Sequence, residues 1–444
     1  MKLKFFLFIL TALFTLQAKS QKKWSLENCI NYAIDNNLQV KRTMLQADMA
    51  GNNYLQSKMN IAPSINGRIG RGYSYGHTVD QFTNEFISTN TVSDYFNLSA
   101  DLNIFSGLQS YNNIKKNQYA MLAAVQNMER QKVELTLNIA TAYLDILFKE
   151  ELLEVNKNQM EVTSLQAERT KKLVEAGSSA KGDYLEMQSQ LASEKLNVTN
   201  AKNDLNVSYL NLTQLLDLDS TEGFEIVVPD TINANINLDL TPAADIYQEA
   251  LTNLPYIKQA EYNLKSTEYN LAVQQGRRSP QVYFSTSWGT GYSSTLTDNT
   301  GNFVPYSDQI NGNKNTNVSI GVSIPIFNRG EINNSISNAK IQVYDAKYSL
   351  DQPKQQLYKE IQQAHNDAVA ARDRFYSATE AVNSYKESFH YTEQKYNVGM
   401  VNSVEYSIAK NNYIKAESEL LRAKYQYIFS AKILDFYRGK SLSL

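Results

Sequence analysis

Glycine and proline are missing from two long stretches of this chain, and the absence shapes everything else. Residues 108–176 contain neither, and residues 331–398 contain only Pro353. Both residues interrupt helices, by backbone freedom or by a missing N–H. Each stretch is therefore expected as one helix of about 100 Å, at about 1.5 Å per residue. Each run ends at a glycine, Gly177 or Gly399, and resumes without glycine or proline over 183–222 and 400–438. The chain builds a long helix, turns, and comes partway back, twice.

Other scarcities exclude whole classes of function. The single cysteine, Cys29, allows no intrachain disulfide and reads as a buried helix residue. The three histidines, His77, His365 and His390, are dispersed and show no ligand spacing, so no metal or other cofactor is expected. Gly439-Lys440-Ser441 echoes a phosphate-binding loop, but Leu434 stands where its first glycine belongs. Gly67, Gly70 and Gly72 fall inside an alternating segment and read as strand glycines, not as a dinucleotide fingerprint. No nucleophile–base arrangement is visible, and the chain reads as a non-enzyme. A net charge of −2 argues against a nucleic-acid partner.

Long apolar runs are also lacking. The mean hydropathy is −0.43, and no segment after the N-terminus is apolar enough for a spanning helix. At the N-terminus, Lys2 and Lys4 precede an apolar run over 5–16, and Ala18-Lys19-Ser20 follows. Residues 1–20 read as a secretory signal peptide, with cleavage before Gln21.

What is present is a repeat. An offset of 222 superposes Gly177 on Gly399, Asp183 on Glu405, Tyr184 on Tyr406 and Phe105 on Phe327. The first copy is expected over 21–217, a linker over 218–241 and the second copy over 242–444. Internal self-similarity of this kind means one architectural unit used twice.

Between the helices the period changes to two. Phe96, Leu98, Ala100, Leu102 and Ile104 alternate with Tyr95, Asn97, Ser99, Asp101 and Asn103. Val318, Ile320, Val322, Ile324 and Ile326 alternate with Asn317, Ser319, Gly321 and Ser323. Weaker partners precede them, Ile65, Gly67 and Ile69 in one copy and Val282, Phe284, Thr286 and Trp288 in the other. Amphipathic β-hairpins are expected at about 63–105 and 280–327. Alternation alone also fits a half-buried soluble sheet. Strand length of about ten residues and long polar connections over 76–92 and 293–316 fit membrane-spanning strands. Open sheet edges cannot face lipid, and four strands are too few for a barrel. Two hairpins from each of three chains would supply twelve.

The helices carry a matching pattern. Residues 24–61 and 183–217 are each expected as a shorter helix beside the first long one, and 242–278 and 404–438 beside the second. A seam of Ile332, Ile336, Ala339, Val343, Ala346 and Leu350 continues past Pro353 as Leu357, Ile361, Ala364, Ala368, Ala371, Phe375, Ala378, Val382, Tyr385 and Phe389. That is knobs-into-holes spacing. An ordinary coiled coil would show it too, but would not explain a β-hairpin inserted at the same place in both copies.

At this point the chain resembles the TolC-type outer-membrane efflux proteins over nearly all of its mature length. The cues are Leu26-Glu27-Asn28-Cys29-Ile30 with Asn36-Asn37, and Ala250-Leu251-Thr252-Asn253-Leu254-Pro255 in the second copy. Further cues are Leu102-Asn103-Ile104-Phe105-Ser106-Gly107, its counterpart Ser323-Ile324-Pro325-Ile326-Phe327-Asn328-Arg329-Gly330, and Tyr396-Asn397-Val398-Gly399-Met400. The resemblance implies a mainly α protein with membrane β. Its homotrimer would form a 12-stranded outer-membrane β-barrel, four strands per chain, continuous with a long periplasmic α-helical barrel. It also implies partners: outer-membrane lipid around the barrel, and a periplasmic adaptor and inner-membrane pump at the tip. The expected function is the outer-membrane channel of a tripartite system, an exit duct for small molecules such as drugs and toxic compounds. A type I protein-secretion conduit shares that architecture. A trimeric coiled-coil surface adhesin also makes a barrel from four strands per chain, but those strands would be consecutive at the C-terminus.

Two sets of residues are carried over from the resemblance. The turns bearing Gly177 and Ser178, and Gly399, Met400 and Val401, are expected from it to be the adaptor-contact tip. Asp183, Glu186 and Glu405 stand where acids line the periplasmic gate, with Ile408 where a further acid can stand. By their position alone these acids also suit the first turn of a returning helix, where negative charge meets the helix dipole.

Overall fold

The computed structural model describes residues 23–79, 84, 86–88, 90–228 and 241–440. The expected signal peptide at 1–20 lies outside the described residues, as does half of the expected linker, residues 229–240.

Helices and strands follow the repeat. The first copy runs α1 (Leu26–Asn36), α2 (Leu38–Met59), β1 (Ser64–Ser74), β2 (His77–Val79), β3 (Phe86–Ser88), β4 (Thr91–Phe105), α3 (Gln109–Glu175) and α4 (Lys181–Leu215). The second runs α5 (Ala243–Asn253), α6 (Pro255–Gly276), β5 (Gln281–Ser293), α7 (Tyr306–Gly312), β6 (Asn315–Ser323), α8 (Glu331–Asn397) and α9 (Ser403–Tyr437). The long helices α3 and α8 have 67 residues each, and α8 passes Pro353 without a break.

The segments 24–61 and 242–278, expected as single helices, are each two. Asn37 adopts an extended ψ of 127° and ends α1. Its side-chain oxygen then accepts from the N–H groups of Gln39 and Val40, capping the start of α2. In the second copy Pro255 does the same work differently. It forces Leu254 out of the helical region, to ψ 126°, and opens α6 at a position that needs no N–H donor.

Among the described residues, two compact units cut across the two copies: those within 1–45, 126–257 and 352–444 form one, and those within 46–125 and 258–351 the other. The first unit holds the main apolar clusters. In one, Cys29, Ala33, Ile139, Tyr143, Ile146, Leu147, Leu212 and Ile428 are buried together. Burial pushes the Cys29 thiol up to about 12, as for an apolar core residue. The Tyr143 hydroxyl donates to the Val227 carbonyl at 2.6 Å, beside the short bridge between Trp24 and Ile226. In another, Ile246, Ala250, Leu254 and Ile257 meet Leu357, Ile361 and Ala368 of the seam and Leu434 of α9. Most of the expected seam is buried or half-buried, but Tyr385 is exposed.

The second unit carries a four-stranded antiparallel sheet in the order β1-β4-β5-β6. Its register keeps the two faces apart. On one side Ile69 pairs with Phe96, Leu98 with Trp288, Leu102 with Phe284 and Phe284 with Ile320. On the other, Arg68 pairs with Asn97, Ser99 with Ser287 and Ser287 with Asn317. The apolar side is open: Ile65, Ile69, Val318, Ile320 and Val322 are all exposed. β1 and β6 are the edges. The alternation expected to reach Ile326 ends at Ser323, because Pro325 lacks the N–H that a ladder requires.

The polar connections are not wholly irregular. β2 pairs with β3 in the first. In the second, α7 is anchored to β5 through buried Gln309, whose amide accepts from the Ser293 N–H at 2.8 Å and donates to the Ser293 carbonyl at 3.0 Å. Where the sheet feeds the helices, Gly107 has φ +62° and lies against Gly276, each glycine's backbone oxygen occupying the space of the other's absent Cβ.

Candidate functional site

The residues expected at the tip lie in the turns from α3 to α4 and from α8 to α9, both within the first unit. The two turns are built alike. Gly177 has φ +75° and Gly399 has φ +77°, the left-handed conformation that closes a helix. The Gly177 N–H donates to the Val174 carbonyl at 3.0 Å, and the Ser178 N–H to the Leu173 carbonyl at 2.8 Å. Gly399 and Met400 repeat the pattern onto Tyr396 and Lys395, at 3.1 and 2.8 Å. These paired bonds satisfy the last carbonyls of each long helix.

Around identical turns the surfaces differ. Met400 is 73 % exposed, and Val398, Val404 and Ile408 are exposed beside it, with Val401 half-buried. Copy one has Ser178 and Ser179 at the corresponding place.

The three acids also differ from one another. Asp183 is tied into the chain by both carboxylate oxygens. Oδ2 accepts from the Ser179 hydroxyl at 2.8 Å and the Ala180 N–H at 3.3 Å, and Oδ1 accepts from the Ser403 hydroxyl at 2.9 Å. The Ser179 and Ser403 bonds favour the charged form and hold its pKa below the usual carboxylate range. Glu186 and Glu405 are exposed. The start of α9 is capped by Asn402, whose side-chain oxygen accepts from the Glu405 N–H at 2.9 Å. So Asp183 and Asn402 perform the capping in the two copies, and the Glu186 and Glu405 carboxylates remain at the surface.

Several tip residues escape a reading by pattern. Arg169 on α3 donates to the Asn397 side chain at the end of α8. Tyr396 stacks on Tyr406 with ring centroids 4.8 Å apart. Lys410, buried on α9, donates to Glu194 and Thr163. Each contact joins residues more than 200 positions apart or on separate helices, which no local spacing encodes. The one available signal was phase, since Lys410 follows Ser403 by seven residues and Tyr406 by four, on the same helix face.

No group of histidine, cysteine, aspartate and glutamate able to hold a metal occurs among the described residues. The other sequence motifs have structural explanations. Gly439, with φ +78°, closes α9 through the bonds Gly439 N–H to Phe436 and Lys440 N–H to Asp435, and Gly67, Gly70 and Gly72 lie in β1. No helix among the described residues is long and apolar enough to cross a membrane.

Two amphipathic hairpins in one sheet, each inserted before a 67-residue helix that turns at a glycine, define an outer-membrane export duct. Comparison with known proteins gives the same class. The chain belongs to the outer membrane efflux protein family, whose model matches residues 29–217 and 246–439. It is 24 % identical over 428 residues to the outer membrane protein TolC of Vibrio cholerae, covering 96 % of this chain and 92 % of that one. It is 22 % identical over 415 residues to the cation efflux system protein CusC of Escherichia coli O157:H7, covering 89 % and 82 %. Among solved structures it resembles VceC of Vibrio cholerae (TM-score 0.79, 13 % identity, 94 % of this chain and 97 % of that) and CusC (0.78, 17 %, 94 % and 92 %). It is an outer-membrane efflux channel, and the adhesin reading is set aside by the family match and by the separation of its two hairpins.

Proposed function

We propose that three copies of this chain close a twelve-stranded barrel and form the exit duct of a tripartite system for small toxic compounds. The open sheet carries the reading: β1 and β6 are edges, and the apolar side is exposed at Ile65, Ile69, Leu98, Trp288, Val318, Ile320 and Val322. Unpaired edges cannot sit in lipid, so β6 of one copy would pair with β1 of the next. Lipid would cover the apolar side, and the polar side, lined by Ser, Asn and Gly with Arg68 and Asp101, would face the lumen.

The same reading gives the tip its roles. Exposed Val398 and Met400, with Gly399 and half-buried Val401, would meet a periplasmic adaptor linked to an inner-membrane pump, with Gly177 and Ser178 as the weaker counterpart. Glu186, Glu405 and Asp183 would stand around the threefold axis as a carboxylate gate that favours cations. The mass of the detergent-purified complex tests the assembly. A trimer is expected, and a stable detergent-free monomer would overturn it.

A further inference from the structure

The apolar side of the sheet does not stay apolar to its end. Beyond the Ile69–Phe96 pair, on the same side and further from the helices, Arg71 stands opposite Asp94. The Arg71 guanidinium donates to both Asp94 oxygens, each at 2.6 Å. The Arg71 side chain is 55 % exposed and the Asp94 side chain 6 %, so the acid is covered and the cation is open. The helix α7 lies on this side too. Thr290, opposite Phe96, donates its hydroxyl to the Ile310 carbonyl at 2.6 Å, and Tyr306 packs on Tyr292, opposite Asp94, with ring centroids 4.8 Å apart. Gln309 is buried, while Ser307, Asp308 and Asn311 are polar and exposed. Tyr73, Phe303 and Tyr306 are exposed as well. A border of aromatic rings and charge above an apolar band marks the level where acyl chains give way to headgroups.

The edge strands bring a second cation to this level. Lys314 lies two residues before Thr316, which pairs with Trp288 on the apolar side. It is exposed and donates to the neutral Asn311 side chain at 3.0 Å. When β6 of one copy pairs with β1 of the next, the apolar sides match only if odd-numbered residues of β1 face even-numbered residues of β6. Aligning the ends nearest the helices, Ser64 with Ser323, sets Ile65 opposite Val322, Ile69 opposite Val318 and Tyr73 opposite Lys314. Arg71 is then a diagonal neighbour of Lys314, about 7–8 Å away on the same face.

We propose that Lys314 of one copy and Arg71 of the next form a site for the phosphate of an outer-leaflet lipid headgroup, one site at each interface between copies. The site rests on the trimeric-barrel reading, and no single chain holds it whole. Arg71 has five N–H donors, two of them on Asp94, and a guanidinium beside an ammonium suits a phosphate. The acyl chains would lie on Ile69 and Val318.

The full-length trimer in detergent tests it, as wild type and as Lys314→Gln, Arg71→Gln/Asp94→Asn and Asp308→Asn. Each is titrated with diphosphoryl lipid A and with the same lipid stripped of phosphate, and bound lipid is counted by native mass spectrometry. Inorganic phosphate is added as a competitor. The paired substitution avoids leaving Asp94 as a lone buried charge, and exposed Lys314 decides alone if that variant does not assemble. Wild type is expected to hold one diphosphoryl lipid per interface. Binding should be at least about tenfold weaker for the stripped lipid, for Lys314→Gln and for the paired variant, the loss of one charge-assisted contact. Asp308→Asn, on the outward face of α7, should bind as wild type does. Equal binding of the two lipid forms, or of wild type and Lys314→Gln, overturns the site. So does a loss in Asp308→Asn as large as in Lys314→Gln, or displacement by inorganic phosphate as readily as by diphosphoryl lipid, which would make the ligand a free anion. A wild-type chain that is not trimeric fails the channel reading, whereas a trimer that does not discriminate fails the site alone.

Discussion

The Asp183 carboxylate accepts a hydrogen bond from the Ser403 hydroxyl at 2.9 Å, joining the first turns of α4 and α9 across 220 residues of sequence. The same carboxylate caps its own helix through Ala180, so one side chain orders both the start of α4 and its neighbour. Ser403→Ala should remove about 1.5–3 kcal/mol of local stability, the worth of a hydrogen bond to a charged group, and raise amide exchange at the starts of α4 and α9. The pH dependence has a definite sign. Asp183 titrates below its unfolded value, so its contribution is complete above about pH 4 and disappears as pH falls through the lower folded value. Exchange at the tip should therefore rise only in that acidic window in the parent, and Asp183→Asn should show the raised rate at all pH values.

For the gate, the structure separates acids that cap from acids that stand free at the surface. Glu186→Ala/Glu405→Ala removes the exposed carboxylates without touching the Asp183 bonds. Planar-bilayer recordings should show weaker cation selectivity and weaker block by multivalent cations from the periplasmic side. Unchanged block and selectivity, with trimers intact, would place the gate elsewhere.

At the tip, Met400→Glu puts a charge at the most exposed apolar position of the turn. Export should fall at least about tenfold while trimer yield is kept, because a charge at the centre of an apolar contact is desolvated without a partner. Ser178→Glu, on the polar turn of copy one, should have the smaller effect. Equal export by both variants and wild type would show that the adaptor does not read this surface.

The junction of sheet and helix depends on two glycines. Gly107→Ala places a methyl where the Gly276 carbonyl and Ser279 stand, in addition to straining a φ of +62°. Gly330, at the matching junction of copy two, has φ +78° but open space around its Cβ position. Gly330→Ala should cost about 1–2 kcal/mol, the left-handed strain alone. Gly107→Ala should cost clearly more, read as lost trimer yield and a lower melting temperature. Similar losses in the two variants would mean that the close approach to Gly276 is easily relaxed.

The sequence by itself determined the elements whose information is periodic or local. Two glycine- and proline-poor runs specify two long helices, since nothing within them interrupts the backbone bonds. Gly177 and Gly399 mark their ends because a left-handed residue is needed there, and alternation in 96–104 marks β4 because successive side chains point to opposite faces. Even the break at Leu254-Pro255 was legible in principle, through the restriction proline places on the residue before it. The break at Asn37 was not, because it depends on a side chain choosing to cap rather than to continue. Tertiary structure alone decided which groups meet across the chain. The Asp183–Ser403 bond and the burial of Lys410 on Glu194 arise from the packing of helices whose sequences are far apart. A lysine or a serine carries no local mark of whether another helix will exclude water from it.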